Sequence, residues 1–378
     1  MRRALIVLVL LLGAPGTASA ATQITFGSQP ATPAYGQQIV FSGVVTVNGS
    51  PAGGQSVNLL SDTGGGWTVI GNTTTQADGS YAFASQALIP GSYAAQTPGA
   101  TSAAVALALR PTLWSRIAGL PYPGNRLVIR GRMRPANAGA LRLRVGTHVW
   151  NVKVRSGGRY WARLPTRQLG RAKARLRVVP ATGFVEVIRE RRYRIRGPYL
   201  SLGSRGRAVL ALEKRLNALH YRVRFANNSY GMDTYEAVLA FQKVHRLSRS
   251  GRVSRDLWRK LGWAKVPRAR HGGDHLEVDK ARQVLFEVRH GEVVRVIHVS
   301  TGATGNTPLG RYRVYLKTPG LLPSGMYYSL FWHGNFAIHG YHSVPPWPAS
   351  HGCVRIPMWQ APPLFARWGL GATVYVYI

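Results

Sequence analysis

The hydrophobic period of the chain changes twice, and this change restricts the possible folds more than any other feature of the sequence. Apolar residues alternate with polar ones over residues 21–196, recur with a helical period over 198–263, and alternate again from residue 274 onward. Alternation is typical of half-buried strands, and the helical period is typical of amphipathic helices. A chain of 378 residues with this pattern is expected to form several domains.

The first β-type segment is residues 21–109, which are rich in Thr, Ser, Gly and Ala. Ile39, Phe41 and Val45 occupy odd positions, as expected for one face of a strand. An Asn-Gly pair at 48–49 predicts a tight hairpin turn. We predict a small β-sandwich, whose composition resembles that of bacterial immunoglobulin-like wall-protein modules.

The second β-type segment, residues 110–197, has the same pattern with many arginines. Arginine alternates with apolar residues in 127–130, 141–145 and 175–179, so the cationic groups would lie on one solvated face. We predict a second, basic β-sandwich. Two interpretations of its basic face stay open: a surface that binds the wall or lipid, and a surface that is only solvated.

Residues 198–263 carry the helical period. Val209, Leu212, Leu216 and Leu219 fall on one apolar stripe of a helix. The stripe predicts a helix that packs by one face, within a unit of three helices.

Two further helix starts are predicted in this unit. Asp233 followed by Glu236 has the spacing of a capping box for the second helix, and Ser254 is expected to cap the third. The three helices together are expected to form one unit over residues 198–263.

The helical segment resembles the three-helix peptidoglycan-binding domain. The residues that carry the resemblance are Leu202-Gly-Ser-Arg-Gly206, Val209, Leu212, Leu216-Asn217, Leu219, Tyr230-Gly231, Thr234, Ala237-Val238, Phe241-Gln242, Gly251 and Leu257-Trp258. Two positions depart from the family pattern: His220 replaces a glycine, and Asn227-Asn228 replace an acidic loop. The resemblance implies that this segment anchors the protein to peptidoglycan glycan.

Residues 264–273 form a basic linker with Pro and Gly, and residues 274–378 form a last, mostly β domain. Val293–Val299 shows its alternation, and a helix is expected over 358–368, broken by Pro362-Pro363. The predicted fold class is therefore multidomain and mainly β: two immunoglobulin-like sandwiches, a three-helix module and a C-terminal mostly-β domain.

The N-terminal residues predict export. Arg2 and Arg3 precede an apolar run over 4–12, and Ala18-Ser19-Ala20 is a small-residue cleavage site, which together indicate a signal peptide over 1–20. The net charge is +36, from 49 Lys and Arg against 13 Asp and Glu. In an exported, wall-associated protein this excess favours anionic wall polymers as partners, and nucleic acid is not expected. We expect a monomer.

The single cysteine excludes an intrachain disulfide framework and marks a reactive thiol instead. Cys353 lies two residues after His351 and fourteen after His339, and Arg355 follows it by two. A thiol attacks as thiolate and therefore needs a base or a positive charge beside it. Gly352 permits a tight turn, and a backbone N–H at Cys353 or its neighbours would form an oxyanion hole.

The order of the reactive groups is also informative. No His follows Cys353, and no Asp or Glu follows Glu292. Papain-like wall endopeptidases place the cysteine first and the histidine later. Without a local carboxylate, a backbone carbonyl is expected to hold the histidine tautomer.

Residues 274–378 resemble the catalytic domain of the YkuD-type L,D-transpeptidases. The motif residues are His275-Leu-Glu-Val278, Ser300-Thr-Gly302, Asn306-Thr-Pro-Leu-Gly310, His339-Gly340, Ser350-His351-Gly352-Cys353, Val354 and Arg355. Two features depart from the family: a short gap before Ser350 that holds Pro345-Pro346-Trp347-Pro348, and Gln360 in place of an acid.

The resemblance implies a role for each site residue. Cys353 would be the acylated nucleophile, His339 the general base, and His351 with Gly352 would shape the oxyanion site. The implied substrate-binding residues are Ser350, Arg355, Gly340 and Tyr341. No cofactor is implied.

The implied reaction is peptidoglycan cross-linking. The thiol would attack a tetrapeptide stem at its third residue, release D-Ala, and pass the acyl group to another stem as a 3→3 cross-link, and carbapenems would inhibit it. The alternatives are an L,D-carboxypeptidase and a wall-binding protein without turnover. A zinc site among His333, His339, His342, His351 and Cys353 is disfavoured, since zinc hydrolases usually add a carboxylate.

Overall fold

The structure is a computed structural model that describes residues 21–378, so the predicted signal peptide lies outside the described residues. Its strands are β1 (Thr22–Ile24), β2 (Gly27–Gln29), β3 (Gln38–Val47), β4 (Ser50–Pro51), β5 (Ser56–Asp62), β6 (Thr68–Thr74), β7 (Ser80–Gln86), β8 (Gly91–Thr97), β9 (Ala100–Thr101), β10 (Val105–Leu107), β11 (Thr112–Gly119), β12 (Leu127–Arg134), β13 (Gly139–Val145), β14 (His148–Val152), β15 (Arg159–Arg163), β16 (Gly170–Pro180), β17 (Val187–Ile195), β18 (His275–Asp279), β19 (Val284–Arg289), β20 (Glu292–His298), β21 (Gly310–Arg313), β22 (Leu316–Leu321), β23 (Tyr327–His333), β24 (Phe336–Tyr341), β25 (Val354–Pro357) and β26 (Thr373–Tyr377). The helices are α1 (Arg207–Ala218), α2 (Met232–Val244), α3 (Arg255–Trp263) and α4 (Ala361–Arg367), with 3₁₀ turns at Ser156–Gly158 and Met358–Gln360. Within residues 21–378, no helix is long and apolar enough to cross a membrane.

The first β-sandwich is formed by β1–β10. In one sheet β3 pairs with β1, β2, β4 and β7, and the other sheet has the order β10-β8-β5-β6 with β9 beside β8. Ile39, Phe41 and Val45 are buried between the sheets, as their alternation predicts. The predicted hairpin joins β3 to β4, and both Asn48 and Gly49 have positive φ, which suits a two-residue turn.

The second β-sandwich packs a three-stranded sheet, β11-β12-β15, against a four-stranded sheet, β14-β13-β16-β17. Its core is formed by alternate residues of the strands, among them Ile129, Met133, Leu143 and Leu176. The intervening arginines are exposed on the outer faces of both sheets, as the alternation predicts.

The three helices α1–α3 follow, and two of the three local predictions for them are confirmed. The stripe of Val209, Leu212, Leu216 and Leu219 is buried. The Ser254 hydroxyl accepts a hydrogen bond from the Leu257 N–H at 3.2 Å and so caps α3.

The capping box predicted for α2 is wrong. The helix begins after Gly231, and no side chain caps it. The Asp233 carboxylate accepts hydrogen bonds from the backbone of Arg224 and Phe225 instead. Glu236 is turned toward the C-terminal domain, where its carboxylate accepts a 2.6 Å hydrogen bond from the Trp359 indole.

The helices share a core with the last domain. Helix α2 packs on β19 and β20, and Phe286 and Val296 of these strands belong to the same buried cluster as Phe241 and Trp258. Tyr221 extends the edge of the sheet by a parallel bridge to Val296. The helical module therefore covers one face of the C-terminal sheet and is not a separate body on a tether.

The segment predicted as a linker is packed against this shared core. Ala264, Val266 and Ala269 contact the cluster, and the backbone N–H groups of Arg270 and His271 donate to the Glu277 carboxylate at 2.9 Å. The linker thus holds the helical module against the sheet.

A buried polar chain crosses the contact between the helices and the sheet. Lys243 of α2 is buried, and its ammonium group contacts the Gln283 and Val299 carbonyls at 3.0 and 2.7 Å and His298 Nδ1 at 2.6 Å. His298 Nε2 lies 2.7 Å from the Val344 carbonyl. A carbonyl only accepts, so Nε2 carries the imidazole proton and Nδ1 accepts from Lys243. Burial holds the pKa of both Lys243 and His298 well below their usual ranges.

Replacing Lys243 with methionine is expected to destabilise the protein strongly. The Lys243→Met variant leaves two buried carbonyls and one imidazole nitrogen without their donor, a cost of about 3 kcal/mol or more. The melting transition of the shared core should fall by roughly 6–12 °C in calorimetry. Lys260→Met, which changes an exposed lysine of the adjacent helix α3, is the matched control and should melt near the wild-type temperature. Equal melting of both variants would show that the Lys243 contacts add nothing.

The C-terminal domain consists of two sheets with a common core. The five-stranded sheet has the order β20-β19-β18-β26-β21, and the four-stranded sheet has the order β22-β23-β24-β25. Leu276, Ile297, Ile338 and Ile356 are among the residues buried between them. The pairs β18–β26 and β24–β25 are parallel, and the other neighbours are antiparallel.

The two prolines of the predicted C-terminal helix lie in the first turn of α4. The prediction that they break the helix is therefore wrong. Residues 358–360 form a 3₁₀ turn, and α4 follows at Ala361 with Pro362 and Pro363 in its first turn. The first N–H groups of a helix have no intrahelical acceptor, so proline costs nothing there. The overall fold class agrees with the prediction: multidomain and mainly β, with one small helical module.

Candidate active site

The motif residues meet where β24 and β25 run side by side. The register pairs Ile338 with Val354 and His339 with Arg355. Paired residues of neighbouring strands point to the same face, and side chains alternate along each strand. Ile338 and Val354 face the core, so His339 and Arg355 face the opposite side, and Cys353 lies in the turn directly before β25.

His339 is buried and held as a neutral base. Its Nδ1 lies 3.0 Å from the Gly340 carbonyl, which can only accept, so Nδ1 carries the proton and Nε2 has a free lone pair. Burial lowers the pKa of His339 to about 4, and the charge of Arg355 acts in the same direction while the Gly340 carbonyl opposes it. A backbone carbonyl thus orients the imidazole, as the absence of a local carboxylate predicts.

Cys353 is a free, half-buried thiol. Its Sγ lies 3.7 Å from the Asn335 carbonyl. Burial raises the pKa of the Cys353 thiol, whereas a hydrogen bond from the Ala337 backbone and the charge of Arg355 oppose the rise. At neutral pH Cys353 is therefore a thiol and His339 a neutral imidazole.

The Ser350 hydroxyl shapes the turn that carries the thiol. It donates to the Cys353 carbonyl at 2.6 Å and accepts from the Gly352 N–H at 3.0 Å. The Gly352 N–H is thus engaged within the turn. The side chain of His351 is exposed to solvent, so its part in the turn comes from its backbone.

Two residues of the segment after β20 hold the turn in place by hydrogen bonds. Asn306 Nδ2 donates to the His351 carbonyl at 2.8 Å, and Thr307 Oγ1 donates to the Gly352 carbonyl at 2.8 Å. The backbone of Thr301 accepts from Ser350 at 3.0 Å. Each carbonyl of the turn therefore has a fixed donor, which limits how far the thiol can move.

Gly352 is required by both conformation and space. Its φ is +129°, which side chains rarely permit, and a Cβ there would lie 2.0 Å from the Phe336 ring. Gly340 has a similar constraint, because a Cβ would lie 2.9 Å from the Ala361 Cβ. Close packing against β24 thus explains Gly352, and close packing against α4 explains Gly340.

Tyr341 and Arg355 form the open side of the site. The Arg355 guanidinium lies 4.2 Å from the centre of the Tyr341 ring, and that ring meets the His339 ring edge-on at 5.7 Å. No carboxylate lies within 4 Å of Arg355 among the described residues. Its charge is consequently not compensated by a neighbouring acid of the described chain.

The histidines suggested for zinc do not come together. His333, His342 and His351 are exposed, whereas His339 is buried. Within the part of the chain that the structure describes, no three His, Cys, Asp or Glu side chains form a cluster suited to a metal ion.

The contacts of several residues at and near the site could not be predicted from the sequence. Asn306 and Thr307 belong to the quoted motif, yet their contacts to the turn could not be foreseen. The carbonyl of Asn335 and the polar chain through His298 were also missed. The only signal for them is position, since Asn335 stands just before the strand of His339.

Two protein-family models match parts of the chain. Residues 273–376 match the family model of the L,D-transpeptidase catalytic domain, YkuD, and residues 205–261 match the peptidoglycan binding domain. A comparison with curated protein sequences finds no match.

Solved structures similar to the chain include three L,D-transpeptidases. One from Xylanimonas cellulosilytica is 35% identical, covers 48% of this chain and 99% of its own, and has a TM-score of 0.45. One from Stackebrandtia nassauensis is 22% identical, with coverage of 47% and 95% and a TM-score of 0.31. One from Mycobacterium tuberculosis is 17% identical, with coverage of 28% and 58% and a TM-score of 0.26.

The fold and the matches define a multidomain, mainly β protein with a peptidoglycan-binding helical module seated on its last domain. That last domain is an L,D-transpeptidase catalytic domain, and the chain belongs to the L,D-transpeptidase family.

Proposed function

We propose that the protein is an exported, wall-associated L,D-transpeptidase that forms 3→3 cross-links between peptidoglycan stems through an acyl-enzyme on Cys353. The observation that carries the proposal is the single thiol of the chain, set on one sheet face with a buried neutral histidine. A neutral imidazole with a free Nε2 is the form that can accept a thiol proton.

In the proposed first half-reaction, the Cys353 thiol gives its proton to His339 Nε2 and its sulfur bonds to the carbonyl carbon of the third stem residue. The negative charge moves to the carbonyl oxygen. We assign the Cys353 N–H as the hydrogen-bond donor to this oxygen, because the Gly352 N–H already donates to Ser350. Collapse breaks the amide bond, and His339 returns the proton to the leaving amine of D-Ala. A thioester remains on the sulfur.

In the second half-reaction, an amine of a second stem attacks the thioester. His339 accepts the amine proton, the C–S bond breaks, and the proton returns to the sulfur. The products are a new amide between the stems and the original thiol. Carbapenems would acylate the same sulfur by ring opening, which makes meropenem a probe of the first half-reaction.

The substrate-binding residues are assigned by charge and position. Arg355 lies beside the thiol with its guanidinium free of carboxylate partners, so we assign it to a stem carboxylate. The Tyr341 ring packs against the Arg355 guanidinium, and Gly340 lets β24 lie close to α4. Ser350 is assigned a positioning role through the two hydrogen bonds it makes in the turn.

The other modules are assigned to attachment. Residues 198–263 are proposed to bind peptidoglycan glycan and to present the catalytic domain, 274–378, to its substrate through the packed linker 264–273. The sandwiches, 21–109 and 110–197, follow a signal peptide over 1–20, and the net charge of +36 favours anionic wall polymers as partners.

The proposal is tested by product analysis. The purified chain is incubated with a disaccharide-tetrapeptide, and products are separated by mass. Release of D-Ala together with a 3→3 linked dimer is expected. D-Ala release with only the shortened tripeptide would assign a carboxypeptidase instead, and no release together with no meropenem adduct would leave a wall-binding protein.

The rate of acylation is expected to depend on pH through His339. Burial lowers the pKa of His339 to about 4, so the base is neutral above that pH and is lost by protonation below it. The rate of meropenem adduct formation, followed by intact mass, should stay nearly level from neutral pH to about pH 5 and halve near pH 4. An acid limb at the ordinary histidine pKa of 6.5 would contradict the buried neutral base.

A further inference from the structure

The outer face of the sheet β11-β12-β15 is an unusually concentrated basic surface. It forms an open cleft of about 910 Å³. The lining is dominated by arginines and tryptophans from the three strands and their ends: Trp114, Arg116, Arg126, Arg130, Arg132, Arg134, Arg155, Arg159 and Trp161. We call this surface the arginine cleft.

The arginine cleft has no internal compensation for its charge. Within residues 21–378, none of its arginines has an acidic group within 4 Å. The only two acids between residues 110 and 197, Glu186 and Glu190, pair instead with Lys173, Arg175 and Arg177 on the opposite sheet.

The strand register places like charges directly across from each other. Arg116 is paired with Arg130, and Arg132 is paired with Arg159. Such pairs repel and destabilise a sheet. On this face no acid among the described residues compensates their repulsion.

The two tryptophans add a flat apolar surface between the charges. Trp114 is 57% exposed and lies across from Arg132, and Trp161 is 48% exposed and lies across from Arg130. The Arg116 guanidinium lies 6.0 Å from the centre of the Trp114 ring, and the Arg126 guanidinium lies 5.8 Å from the centre of the Trp161 ring. Rings exposed in this way can pack against the C–H face of a polyol or sugar while the guanidinium groups hold oxyanions.

We propose that the arginine cleft binds a linear polyol-phosphate polymer of the cell wall. Along β12, Arg130, Arg132 and Arg134 repeat at about 6.7 Å, the spacing of alternate residues in a strand, which is comparable to the phosphate repeat of an extended polyol-phosphate chain. Guanidinium groups bind such phosphates by paired hydrogen bonds. The choice of a wall polymer over nucleic acid rests on the wall location in the proposed function.

Binding is tested with the full chain and a synthetic oligo(glycerol phosphate), titrated by calorimetry at several salt concentrations. Replacing Arg130 and Arg132 with glutamine should weaken binding at least about tenfold and reduce the salt slope by about two. Trp161→Ala should weaken binding without changing the slope. The matched control is Arg142→Gln with Arg144→Gln, which removes the same charge from exposed positions of β13 on the opposite sheet and should bind like the wild type.

The other outcomes of the titration would overturn the proposal. Equal weakening by both double variants would show attraction by net charge alone. Tighter binding to single-stranded DNA of the same phosphate number, or binding only to phosphatidylglycerol vesicles, would assign a different partner. The titration needs no turnover, so its failure would leave the proposed catalytic function untouched, and the converse also holds.

Discussion

Replacing Cys353 with alanine is expected to abolish both D-Ala release and formation of the meropenem adduct. Cys353 is the only cysteine of the chain, so no second thiol can take over the attack. Loss of the nucleophile in a comparable acyl-transfer mechanism costs on the order of 10⁶ in kcat. The measurement is single-turnover D-Ala release with intact mass analysis of the protein after meropenem treatment.

The Cys353→Ala variant should keep its fold, which separates chemistry from structure. It removes one half-buried sulfur atom, and the hydrogen bonds of Ser350, Asn306 and Thr307 to the backbone of the turn remain possible. Calorimetry should therefore give a melting temperature close to that of the wild type. D-Ala release at an undiminished rate in the folded variant would refute the thiol mechanism.

The sequence is sufficient to predict the elements whose cause is local. The buried stripe from Val209 to Leu219, the Ser254 cap and the hairpin at Asn48 depend on residues within a few positions of each other. The same holds for alternation in the strands, because the burial of every second side chain follows from strand geometry. These predictions agree with the structure.

The contacts that join distant segments were not predictable in the same way. The spacing of Asp233 and Glu236 fits a capping box, but each carboxylate has a better donor from elsewhere in the chain. Likewise, the sequence predicts that a second helix starts near Asp233 but not that its partner is the face of β19 and β20. Local propensity is a weak constraint where tertiary contacts compete with it.

The candidate site likewise has features that the sequence predicts and features that depend on tertiary structure. The motif identifies Cys353, His339 and Arg355 by residue type and spacing, and the parallel pairing of β24 with β25 puts them on one face. The sequence does not reveal that Ser350 occupies the Gly352 N–H, nor that Asn306 and Thr307 fasten the turn. The contacts of Asn306 and Thr307 depend on where a segment some 45 residues earlier in the chain lies.

Replacing His339 with glutamine is expected to slow acylation of Cys353 by about 10²–10⁴-fold, the usual contribution of a general base. The amide of glutamine is not basic and cannot accept the thiol proton. Attack would then depend on thiolate formed in advance, and burial raises the pKa of Cys353. The residual rate should therefore climb about tenfold per pH unit through neutrality, where the wild-type rate is level.

The matched control for His339→Gln is His342→Gln, which makes the same change at an exposed histidine three residues further along the chain. It should keep the wild-type rate and the wild-type pH profile in the same meropenem acylation assay. A merely structural role of His339 would lower the rate at every pH by the same factor. A pH-independent rate in the His339→Gln variant would thus show that His339 is not the base. A rate that rises with thiolate formation would show that His339 accepts the proton of Cys353 in the wild type.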